Sequence, residues 1–203
     1  MAITSLKTGS SFTNLQKYND FLGPNPAFFP NSYESIQTVT VGSGGASTVT
    51  FSSIPSTFTH LQIRGIWKNN YSSSDIAYVL LTINGTSTGY SYHNLRGDGT
   101  TVTGGSSGSG SNHPPALSLP SNDSPYASMF GTGVIDILDY KNTTKFKTIK
   151  TIFGFEGNGS GRAGFTGGYW GSLNAITSIQ LTDQNGGNFV QYSSFELYGI
   201  KGV

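Results

Sequence analysis

The sequence contains no cysteine and carries little charge. The absence of cysteine excludes a disulfide scaffold, a thiol nucleophile and a thiolate metal site. The three histidines, His60, His93 and His113, show neither HxH nor HxxxH spacing, so we expect no structural zinc site. Only 10% of the residues are charged and the net charge is +1. We therefore expect neither nucleic acid nor a membrane as a partner.

Long apolar runs are absent as well. No segment approaches the roughly 20 consecutive apolar residues of a membrane-spanning helix. The opening residues, MAITSLKTGSSF, lack the apolar core of a secretion signal. We expect a protein that is made, and stays, in a cytoplasm.

Two short motifs match enzyme signatures, but their surroundings do not fit. Gly104–Gly108 matches G-x-S-x-G and Gly159–Gly164 matches G-x-G-x-x-G. Both signatures require a following helix. Gly104–Gly108 instead lies in a predicted loop, and the residues after Gly159–Gly164 continue a predicted strand. Asp136 and Asp139 lie three residues apart on a predicted strand and should face opposite sides. We expect no catalytic residue, no cofactor and no enzymatic activity.

Alternation of apolar and polar residues dominates the chain after its first 31 residues. In His60–Trp67, the residues Leu61, Ile63 and Trp67 alternate with polar side chains. This pattern predicts a strand with one buried face. Gly65 interrupts the inward row, which suits a close approach of another backbone.

Ten strands are predicted, and no helix is predicted after the N-terminal segment. Their ranges are Ile36–Val41, Ser47–Phe51, His60–Trp67, Asp75–Ile83, Tyr90–Leu95, Ser128–Tyr140, Lys145–Phe155, Arg162–Trp170, Ala175–Thr182 and Phe189–Ile200. Short strands with Gly and Asn turns indicate an all-β protein, an antiparallel β-sandwich of jelly-roll type. The Gly/Ser-rich stretch Thr100–Asn112 predicts an exposed mobile loop, and His113–Pro125 predicts a proline-rich connector.

Residues 1–31 differ in composition from residues 32–203. Three prolines oppose both helix and sheet ladder, yet the segment is too aromatic for a plain disordered tail. We interpret residues 1–31 as an extended N-terminal arm and residues 32–203 as the β-domain. Phe21, Phe28 and Phe29 are the arm's candidate partner-binding residues. The alternative is that the arm folds back on its own domain.

Two aromatic residues between glycines form a second candidate binding site. Tyr169 and Trp170 could stack on a sugar or on a protein partner, or could pack in a core, as aromatic residues in strands often do. The tripeptide Arg96–Asp98 is an integrin-type RGD string. The Asp98-Gly99 turn signal explains these residues without any partner.

A resemblance to a known group is carried by several strings together. They are Ser32–Ile36, Thr38–Ala46, Phe51–Arg64, Asp136–Tyr140 and Phe195–Gly202. As a set, these strings resemble a widespread group of virion proteins of tailed bacteriophages from aquatic environments. The resemblance covers nearly all of the chain after the arm, and Ser5–Gly9 resembles the opening of such proteins.

The resemblance implies a structural β-domain in a virion and no enzyme. Because the chain has neither repeats nor a coiled-coil stalk, our first hypothesis is a capsid cement, or decoration, protein. It would bind the major capsid protein and its own copies, as a homotrimer on the capsid surface, after synthesis in the host cytoplasm. The alternative hypothesis is a tail-fibre or receptor-binding module that recognises a host surface glycan.

Overall fold

The computed structural model describes residues 32–74, 76–111, 115–120, 128–157 and 161–202. All of these except Ser32 belong to one compact unit, Tyr33–Val203. Every regular element within the described ranges is a β-strand. The predicted arm, with Phe21, Phe28 and Phe29, lies outside the described residues.

The described residues form twelve strands. They are β1 (Tyr33–Thr40), β2 (Thr48–Phe51), β3 (His60–Trp67), β4 (Ile76–Ile83), β5 (Tyr90–Gly97), β6 (Val102–Ser111), β7 (Pro115–Pro120), β8 (Gly131–Leu138), β9 (Lys147–Glu156), β10 (Gly161–Trp170), β11 (Ile179–Asp183) and β12 (Ser194–Ile200). All ten predicted strands are present, with ends shifted by a few residues.

The strands form two sheets, and every pairing between strands is antiparallel. The large sheet has the order β1-β12-β3-β8-β9-β10-β5-β6, and the small sheet has the order β2-β11-β4-β7. Side chains from both sheets share one hydrophobic core, to which β3 contributes Leu61 and β4 contributes Val79. The predicted all-β class and the antiparallel sandwich are therefore confirmed.

Strand β3 buries the face that its alternation predicts. Leu61, Ile63 and Trp67 are each 0% exposed. Gly65 allows β12 to approach, because a Cβ atom at this position would collide with the carbonyl oxygen of Ser194. Both predictions for this strand are confirmed.

The predicted mobile loop at Thr100–Asn112 is wrong over Val102–Ser111, which forms β6. This strand pairs with β5 from Gly97↔Val102 to Tyr90↔Ser111. Backbone hydrogen bonds to β5 hold this strand in place without large apolar side chains.

The predicted connector His113–Pro125 is wrong over Pro115–Pro120, which forms β7 and pairs with β4. Its prolines occupy the strand ends, where proline is tolerated at a sheet edge.

Hydrogen exchange should distinguish a paired β6 from a mobile loop. We expect alternate amides of Val102–Ser106, those that donate to β5, to exchange far more slowly than those of an unstructured Gly/Ser segment. The amide of Gly99, in the exposed turn between β5 and β6, serves as an internal reference for weak protection. Random-coil exchange rates throughout Val102–Ser106 would contradict the strand.

Candidate interaction surface

Four apolar side chains line up across the outer face of the large sheet. Val134 of β8 is paired with Ile152 of β9, Ile152 with Phe165 of β10, and Phe165 with Leu95 of β5. Ile152 is 55% exposed, Phe165 is 44% exposed and Leu95 is 54% exposed. We call these four residues the apolar row. Because paired residues of neighbouring strands lie about 5 Å apart, they form one continuous patch.

The local sequence explains why these side chains point outward. In β9, Ile149 and Phe153 belong to the buried face, so Ile152 must face the other way. In β10, Gly164 precedes Phe165, and a Cβ atom at Gly164 would collide with the ring of Phe153. The missing side chain gives the Phe153 ring its place on the inner side, while Phe165 projects from the outer side.

A second apolar group lies on the same outer face. Phe146, 50% exposed, stacks on Tyr169 with ring centroids 5.6 Å apart and an interplanar angle of 16°. Thr148 of β9 is paired with both Tyr169 and Leu138, which places these side chains on adjoining strands. We call Phe146 and Tyr169 the aromatic pair.

Trp170 does not belong to this surface. The residue is 2% exposed and lies in the hydrophobic core, because neighbouring residues of a strand point to opposite faces. The prediction that Tyr169 and Trp170 act together in partner binding is therefore corrected. Tyr169 stays a candidate, whereas the Trp170 ring offers no surface to a partner.

Polar groups separate the apolar row from the aromatic pair and extend toward β1. Lys150 Nζ lies 2.8 Å from Asp136 Oδ2. Gln62 Nε2 donates to Asp136 Oδ1 at 2.6 Å, and the Tyr33 hydroxyl donates to Gln62 Oε1 at 2.6 Å. Tyr33, Gln62, Asp136 and Lys150 thus form a polar network that borders the apolar row.

The RGD tripeptide is engaged within the molecule. Arg96 Nη1 donates to the Tyr78 hydroxyl at 3.0 Å, and Arg96 Nε donates to Thr103 Oγ1 at 3.1 Å. Asp98 accepts hydrogen bonds from the backbone amides of Thr101 and Thr100, which lower the pKa of its carboxyl to about 2. The Asp98 contacts are those of a turn, as the sequence predicts.

Asp136 and Asp139 do not form an acid–base pair. Asp136 belongs to the polar network of the outer face, whereas Asp139 follows β8 with a φ angle of 53°. Lys145 Nζ lies 2.5 Å from Asp139 Oδ2, and its hydrogen bond holds the pKa of that carboxyl below the usual value. The two carboxylates thus have separate lysine partners.

Two other kinds of site are absent from the described residues. No group of three or more His, Asp or Glu side chains in the described ranges is placed to hold a metal ion. Within the same ranges, no helix has the length and apolarity needed to cross a membrane.

Comparison with known proteins adds no evidence on function. No protein-family model matches the chain. No curated protein matches it, and no solved structure does.

Sequence reasoning missed the apolar row. A signal for Ile152 was present, because β9 carries isoleucine at both 149 and 152, an odd spacing that places them on opposite faces. Leu95 and Phe165 lie in strands rich in Gly and polar residues, where no inward apolar row reveals which face is outside. Only the register between strands shows that the three side chains meet.

Proposed function

We propose that the chain is a structural protein of a bacteriophage virion, a decoration protein that attaches to the capsid shell through the outer face of its large sheet. The observation that carries the proposal is the apolar row. Three large side chains, Leu95, Ile152 and Phe165, are about half exposed and lie in register on adjoining strands. A contiguous apolar patch of this kind is typical of a protein interface.

The charge distribution supports attachment to a protein surface. The apolar row has no charged member, and Asp136 and Lys150 beside it neutralise each other. Arg64 of β3 is paired with Val134 at the end of the row. With Arg64 at the rim, a partner can cover Leu95, Ile152 and Phe165 without leaving an unpaired charge buried, which would be costly. The matching patch on the shell protein would be apolar, with a polar rim that faces Asp136 and Lys150.

The strand order supports the jelly-roll interpretation. One half of the large sheet has the order β1-β12-β3-β8, and the small sheet has the order β2-β11-β4-β7. In chain order these eight strands alternate between the sheets, except that β4 and β7 both lie in the small sheet. This arrangement is that of a jelly roll, a fold found in viral capsid proteins and in lectins. The hairpins β5–β6 and β9–β10 then extend the large sheet, and they carry most of the apolar row. The fold alone does not decide function.

The number of copies per virion tests the proposed function. Quantitative mass spectrometry of purified virions should find on the order of hundreds of copies, because a decoration protein repeats with the symmetry of the shell. A handful of copies per particle would contradict decoration and favour the tail module that binds a host glycan. Absence from purified virions would overturn both.

A further inference from the structure

The four sheet edges formed by the described residues differ in how they are protected. Strands β1 and β6 are the edges of the large sheet, and β2 and β7 are the edges of the small sheet. An edge strand presents backbone donors and acceptors that can pair with another chain. Proteins commonly block such pairing with charges, prolines, bulges or very short strands.

Three of these edges carry such a feature. Strand β1 has a register shift between Ser35 and Gln37, and its Glu34 forms an ion pair with Lys201 at 2.8 Å. Strand β2 is only four residues long. Strand β7 begins and ends with proline.

The first half of β6 carries none of them. Val102–Ser106 contains no charged residue and no proline, and it pairs with β5 without a register shift. Val102 is 72% exposed, and no described strand pairs with the second side of this segment. Its side chains are small, so another backbone can approach closely.

We propose that Val102–Ser106 pairs with the same segment of a second copy of the chain, antiparallel and across a two-fold axis. The argument for a second copy is that an antiparallel pair of identical strands is self-complementary and forms a closed dimer. Pairing between β6 and a different edge of a second copy would meet the charge, shortness or prolines described above. The net charge of +1 adds little repulsion between copies.

The proposed dimer would join two apolar rows into one. Gly104 is the β6 partner of Leu95 and therefore continues the apolar row toward the edge. Around an axis near Gly104, the Leu95 residues of the two copies would flank a pair of glycines on one continuous outer face. The dimer differs from the homotrimer expected from the sequence and does not depend on attachment to a capsid. Its test reads the oligomeric state alone.

Single cysteines can locate the two-fold axis, because the chain contains no other thiol. We would place one cysteine at each position from Thr103 to Ser106 in the full chain and oxidise each variant mildly. In a two-fold antiparallel pair only the residue on the axis faces its own copy, at a Cβ–Cβ distance of about 5 Å. We expect disulfide-linked dimer to peak at one position and to fall at its neighbours. Equal yields at all four positions, or none, would overturn the proposal.

Light scattering after size-exclusion chromatography supplies an independent readout. We expect the unmodified chain to have about twice the mass of its 21.5 kDa protomer and the G104K/S106K variant to be monomeric, because edge lysines repel across the axis. The matched control is S87K/T148K, which adds the same charge at exposed positions away from β6 and should stay dimeric. G104A/S106A should also stay dimeric. This result would show that the added charge, and not the replacement of Gly104 and Ser106 as such, breaks the dimer in G104K/S106K. A monomeric or trimeric unmodified chain, or a dimeric G104K/S106K variant, would overturn the proposal.

Discussion

Replacing Trp67 by alanine should lower the free energy of unfolding by about 3–5 kcal/mol, the range typical of large aromatic residues deleted from a core. Trp67 is 0% exposed, and its ring lies 4.8 Å from that of Phe195. Phe195 in turn contacts Phe189 edge to face. Removing the indole would therefore open a cavity where β3 and β12 pack together.

Urea denaturation followed by circular dichroism measures this effect. The matched control is Tyr192→Ala, because Tyr192 is 68% exposed and its truncation should change stability by less than about 1 kcal/mol. Trp67→Phe should cost less than Trp67→Ala, since the phenyl ring fills part of the cavity and Trp67 Nε1 has no hydrogen-bond partner to lose in the described structure. Unchanged stability of Trp67→Ala would show that the ring is not a core residue.

The difference between β3 and β6 shows which strands a sequence can reveal. The strand β3 is buried on one face, so burial imposes an alternation that can be read from Leu61 and Ile63. The strand β6 lies at a sheet edge, where backbone pairing with β5 holds it. Backbone hydrogen bonds do not depend on side-chain type, and a Gly/Ser composition is therefore compatible with both a loop and an edge strand.

The candidate surface could be predicted only in part for a related reason. The spacing of Tyr169 and Trp170 requires that one ring point inward and the other outward, but the two residues alone do not show which is buried. Trp170 takes the inner position because its paired residue on β5 is Tyr90, which is 0% exposed and belongs to the same core. Contacts of this kind join residues 80 positions apart in the chain and have no local signature.

Alanine at all three exposed positions of the apolar row, L95A/I152A/F165A, should weaken attachment to capsids by about 100-fold and leave the fold intact. Each half-exposed side chain should contribute about 1 kcal/mol when a partner covers it, and a total of about 3 kcal/mol corresponds to about 100-fold in affinity. Cosedimentation with particles stripped of this protein measures the loss. The matched control is L173A/Y192A, which truncates exposed apolar residues outside the row and should bind as the unmodified chain does.

The same assay separates the sheet face from the N-terminal arm. If Phe21, Phe28 and Phe29 anchor the protein, deletion of residues 2–30 should abolish attachment, whereas L95A/I152A/F165A should bind normally. That result would contradict the role proposed for the apolar row. If the face is the anchor, the deletion should keep most of the affinity and the triple variant should lose it. Comparable losses in both variants would indicate two contacts that act together, since linked weak contacts multiply their effect on a symmetric shell. In that case F28A/F29A combined with the triple variant should bind more weakly than either alone.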